Sequence, residues 1–72
     1  MEKTKYLIEF SKLIDSEVDL TLETNLHTLS EYDSLTQMSI CSWISDNFLI
    51  TCNISDIQDF QTIQDFYNYT NK

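Results

Sequence analysis

Seventy-two residues allow one domain, at a size where a single core leaves only roughly 3–5 kcal/mol of net stability and no room for a deep catalytic cleft. A hydrophobic content of 42%, with four Phe, four Tyr and one Trp, excludes a disordered tail, and no run approaches the ~20 apolar residues of a membrane span. Twelve acidic residues against four basic ones, a formal charge of −8, disfavour nucleic acid and anionic membranes and favour partners with basic docking surfaces.

No basic-then-apolar signal opens the chain, so a cytoplasmic location is expected. Cys41 and Cys52 are the only cysteines and form no C-x-x-C motif. They read as buried thiols, and with one histidine no metal site is expected.

Residues 3–15 read as a first helix. Tyr6, Leu7, Phe10, Leu13 and Ile14 recur at three- and four-residue spacing, while Lys5, Glu9 and Lys12 lie on other sides. Lys5 and Glu9, four apart, are placed to pair for a few tenths of a kcal/mol.

From 16 to 33 the pattern changes. Val18, Leu20 and Leu22 alternate with Asp19, Thr21 and Glu23, which would suit a strand. No second alternating run exists to pair with it, and a lone strand cannot satisfy its own backbone. The segment is therefore read as a long ordered loop that pins leucines onto the core, with Leu26 and Leu29 continuing the pinning in a short turn. His27, in a polar stretch, reads as an exposed side chain.

The next helix runs from about Ser34 to Leu49. At ~100° per residue, Ile40, Cys41, Ile44 and Phe48 share one arc, the expected buried face. Leu35, Ser39, Ser42 and Asp46 fall opposite, with Trp43 and Met38 towards the flanks. A helix apolar beyond one stripe is either wrapped by three neighbours or leaves Leu35 and Met38 partly open for docking.

Asp33-Ser34-Leu35 opens this helix. Unpaired amides and the positive dipole end make its first turn favourable for phosphate. If Asp33 caps the turn, the Ser34 hydroxyl is free to project. Ser34-Leu-Thr-Gln37 also fits a capping box, in which Ser34 would only tie down its own helix.

Residues 47–53 end the helix in a turn with neither Gly nor Pro. Ser55-Asp-Ile-Gln58 has the form of a capping box opening a short helix to about Phe60. Thr62-Ile-Gln-Asp65 has the form of another, opening a last helix to about Thr70 with Ile63, Phe66, Tyr67 and Thr70 as its stripe. The expected architecture is all-α: one domain over residues 1–72, an up-and-down bundle of three main helices and one short one, with a long first loop.

From Asp33 to the end of the last helix, the chain resembles an acyl carrier protein. Asp33-Ser34-Leu35 matches the family's Asp-Ser-Leu, the helix after it closes on Phe48 at the family's spacing, and a short helix follows. The last helix carries Tyr69 near its end, and the first helix agrees in length and position. The resemblance implies a four-helix carrier fold in which Ser34, flanked by Asp33 and Leu35, bears 4′-phosphopantetheine through a phosphodiester. A phosphopantetheinyl transferase would install that arm from coenzyme A, using its own Mg²⁺. The arm's thiol would hold acyl groups as thioesters and present them to acyl-transferring or condensing enzymes of fatty-acid, polyketide or related biosynthesis. A flexible tether raises the effective concentration at each docked enzyme, and the resemblance implies a monomeric carrier that would catalyse nothing itself.

Docking would use Leu35, Met38, Ser39, Ser42 and Asp46. Three features depart from the family's pattern: Glu31 stands where a glycine is usual, Asn53 where a proline is common, and the second helix carries Thr36, Gln37, Ser39 and Ser42 where typical fatty-acid carriers are dotted with acids. Asp46 is the only acid inside that helix, which points to a dedicated enzyme set with a less charge-driven surface. The main rival reading is the same bundle never modified, an acidic interaction module with Ser34 only a cap. A serine hydrolase using Ser34 and His27 is a poor fit, because the chain has no glycine to shape a nucleophile turn.

Overall fold

Burial of aromatic and branched side chains from every helix organises the bundle. In the computed structural model, which describes residues 1–15 and 19–71, the order is α1 (Lys3–Ile14), a 3₁₀ turn (Leu26–Thr28), α2 (Ser34–Phe48), α3 (Ile54–Ile57) and α4 (Ile63–Thr70). α1 packs on α2 and α4, and α3 packs on α2. Tyr6, Phe10, Leu26, Ile40, Ile44, Ile57, Ile63 and Phe66 are fully buried between them, each aliphatic one stabilising by roughly 1.5–3 kcal/mol.

The expected stripe of α1 holds, with Tyr6, Phe10 and Ile14 buried. The Tyr6 phenol sits at the centre of an aromatic cluster: its ring lies 5.0 Å from that of Trp43, 5.3 Å from Tyr67 and 5.9 Å from Phe48. Its oxygen accepts a 3.1 Å hydrogen bond from the Thr70 hydroxyl, which ties the start of the chain to its end. Asp15 closes α1 in a left-handed conformation, φ 54°, that a short polar side chain tolerates. Lys5 and Glu9 make no ion pair, and Glu9 Oε2 is instead buried without a hydrogen-bond partner.

The long loop behaves as the pairing argument required. Leu20 and Leu26 are buried, with Leu22 and Leu29 half-buried against the core. Its backbone groups find partners in the chain entering α4: the Leu26 amide donates to Gln61 O at 2.7 Å and the Gln64 amide to Leu22 O at 2.9 Å. An isolated antiparallel bridge, Asn25 to Thr62, is the only β-type pairing among the described residues. Val18, first in the alternating run, lies outside the described residues.

Three local expectations are corrected. The short helix starts two residues earlier than the Ser55–Gln58 pattern implies: the Asp56 carboxylate accepts from the Asn53 amide at 2.9 Å, making Asn53 the cap and turning Ile57 inward. Trp43 belongs to the aromatic cluster rather than merely flanking the buried arc of α2. Phe48, placed on that arc, is only half-buried, because α2 ends there and the chain turns away through Leu49. The Thr62–Asp65 box forms as read, the Thr62 hydroxyl taking the Asp65 amide and the Asp65 carboxylate taking the Thr62 amide.

Candidate functional site

The start of α2 is set by the residues just before it. Tyr32 is buried, and its amide donates to Leu29 O at 3.2 Å, so the loop is anchored one residue ahead of the helix. Asp33 follows in an extended conformation (φ −100°, ψ −177°). Its Oδ1 accepts from the Thr36 amide at 2.9 Å, while its carbonyl takes the Gln37 amide at 2.9 Å. These bonds, chiefly the Thr36 amide and then the Thr36 hydroxyl, hold the Asp33 carboxyl below the usual carboxylate range.

Asp33 therefore does the capping, and the alternative box from Ser34 to Gln37 does not form. Ser34 is the first residue of the helix proper and is exposed, its hydroxyl taking no part in the cap. The amides of Ser34 and Leu35 lie in the first turn, with no intrahelical carbonyl to bond, at the positive end of a 15-residue helix. The arrangement presents an alcohol to solvent where an attached anion is stabilised.

Along the same side, Leu35 is 73% exposed and Met38 58%. Of the two options for the broad apolarity of α2, the structure takes the open one. Ser39, Ser42 and Asp46 are exposed as well, and the Ser39 hydroxyl donates back to Leu35 O at 3.2 Å. Met38 also borders a groove of about 480 Å³ between α2 and the start of α3, lined by Cys41, Ser42, Ser45, Cys52, Asn53 and Ile54.

Sequence reasoning missed two features here. Tyr32 carries the anchoring, and an aromatic residue immediately before a cap was its only sign. The groove has no local signature, since it depends on how α3 docks. His27 is engaged elsewhere: its Nε2 meets the Phe60 carbonyl at 3.0 Å and its ring stands edge-on to Tyr32 at 5.6 Å, joining the loop to the connection between α3 and α4.

A family model described as a phosphopantetheine attachment site matches residues 7–70, most of the chain. The chain belongs to the phosphopantetheine-attachment family. Comparison with curated proteins and with solved structures finds no match. The order of helices is that of the acyl-carrier four-helix bundle. As a family member the protein is a phosphopantetheine carrier, a domain for covalent attachment of 4′-phosphopantetheine that interacts with a phosphopantetheinyl transferase and with biosynthetic enzymes. No described helix is long and apolar enough to cross a membrane.

Proposed function

We propose that Ser34 is the attachment residue and that the chain is an acyl carrier serving fatty-acid, polyketide or related specialised biosynthesis. The observation that carries this reading is the division of labour at the start of α2. Asp33 satisfies the helix end, so the Ser34 hydroxyl stands exposed and uncommitted inside the matched region. The residues present fit a phosphodiester: a free alcohol to bond it, first-turn amides beside it, and no side chain of the cap covering it.

When bound, the arm supplies a terminal thiol that holds an acyl group as a thioester. Asp33 and Tyr32 keep the attachment residue in a fixed position, and Leu35 and Met38 offer partner enzymes a small apolar contact with Ser39, Ser42 and Asp46 around it. Docking through so few contacts is weak and reversible, as a carrier that visits several enzymes requires. The single acid on this helix favours a dedicated enzyme set over one steered by many charges.

Intact mass after incubation with a promiscuous phosphopantetheinyl transferase and coenzyme A tests the assignment. The expected result is one added arm on the wild-type chain and none on Ser34→Ala. A wild-type chain left unmodified by several such transferases overturns the carrier reading; an arm still added to Ser34→Ala overturns the site.

A further inference from the structure

Cys41 and Cys52 both line the groove between α2 and α3 and meet there. Cys41 is buried on the inner arc of α2; Cys52 is half-buried, one residue before the Asn53 cap of α3. Both are free thiols, and the Cys52 Sγ–H donates to Cys41 Sγ at 3.3 Å. Closing from that separation to the ~2.05 Å of a disulfide needs a movement of roughly 1.2 Å, and Cys52 lies in the irregular α2–α3 connection rather than in a helix.

We infer that Cys41 and Cys52 form a reversible dithiol–disulfide site, oxidised by a low-molecular-weight disulfide such as glutathione disulfide, that staples the α2–α3 connection to α2 at the wall of the groove. The exposed part of Cys52 makes it the entry point. Its thiolate attacks one glutathione sulfur, releasing one glutathione thiolate and leaving a mixed disulfide on Cys52. The Cys41 thiolate then attacks the Cys52 sulfur and displaces the second glutathione. Two thiol protons and two electrons leave the protein, and one glutathione disulfide becomes two glutathiones.

Burial, reinforced by the neighbouring Cys41, pushes the Cys52 thiol up to about 12. Little thiolate exists near neutrality, so closure is slow and speeds up about tenfold per pH unit. The same environment gives the reduced form of Cys52 no thiolate stabilisation, so the disulfide, once made, resists reduction. The eleven-residue separation also lets the staple restrict the unfolded chain.

The test uses the full chain with an intact mass showing no arm, so it does not depend on Ser34. The chain is equilibrated at mildly alkaline pH in glutathione buffers of decreasing reducing power, acid-quenched, unfolded and treated with iodoacetamide. The expected product is a monomer two hydrogens lighter than the dithiol, with no glutathione and no alkyl group, reverting under dithiothreitol. Its melting temperature should exceed that of the reduced chain by on the order of 10 °C. Neither Cys52→Ser nor Cys41→Ala should yield it. A lasting glutathione adduct on Cys52 with Cys41 still alkylated, a disulfide-linked dimer, or two alkylated cysteines under excess glutathione disulfide would each overturn the inference.

Discussion

On one face of α2, Ile40, Cys41 and Ile44 are sealed against the core; on the other, Leu35 and Met38 stand in solvent although they are no less apolar. α1 and α3 cover only the first face, so residue type alone does not decide burial. An apolar side chain left open in a domain with so little stability to spare is better explained by contact with something outside the bundle. The capped N-terminus and the open face lie on the same stretch of helix, which is why attachment and docking are proposed there together.

The sharpest way to break this comparison is truncation inside the core. Phe66→Ala should cost about 3–5 kcal/mol and Ile44→Ala about 2–5, enough to unfold a domain this small, as read by chemical denaturation. Half-buried Phe48→Ala should cost clearly less than Phe66→Ala. On the open face, Leu35→Ala should change stability by less than about 0.5 kcal/mol while weakening capture by partner enzymes. Equal costs for Ile44→Ala and Leu35→Ala would erase the distinction between the faces.

Titration with base probes the covered side as a whole. Burial raises the Tyr6 and Tyr32 phenols from 10.0 to about 12, against the opposing hydrogen bond from Thr70 in the case of Tyr6. A raised folded-state value means their contribution is whole below pH 10 and is lost as pH climbs towards 12. Stability measured across that interval should fall, and Tyr32→Phe should flatten the fall.

The helix ends offer smaller effects. Asp33→Ala should lower the melting temperature by roughly 5 °C, whereas Ser34→Ala should leave it nearly unchanged. Because the folded Asp33 carboxyl is depressed below its ordinary 3.8, its contribution is present above that pH and lost in stronger acid. The melting curves of wild type and Asp33→Asn should therefore converge as pH falls. At the other end, Leu49 is 92% exposed and left-handed at φ 55°, a conformation that strains any side chain with a Cβ. Leu49→Gly should raise stability by up to about 1 kcal/mol in thermal melts.

The elements legible in the chain are those set by neighbours a few residues apart. The Thr62–Asp65 box, the stripe of α1 and the Ile40–Cys41–Ile44 arc all follow from three- and four-residue spacing. Asp33 as a cap was legible too, but alongside a competing box from Ser34 to Gln37. At α3 the Ser55–Gln58 reading failed because the ionised Asp56 carboxylate accepts the Asn53 amide more strongly than the neutral Gln58 side chain could hold a cap at Ser55. Trp43 was placed on a flank because helical angle says nothing of where Tyr6 and Phe10 would lie.

By itself, then, the order of residues determined an acidic all-α bundle, its helix faces and a serine at the head of its longest helix, since periodicity and capping act over a single turn. Only the tertiary structure decided which apolar face stays open, that Tyr32 anchors the approach to Asp33, and that Cys52 comes to rest 3.3 Å from Cys41. Those outcomes depend on how elements far apart along the chain exclude water from one another, and no local spacing encodes that.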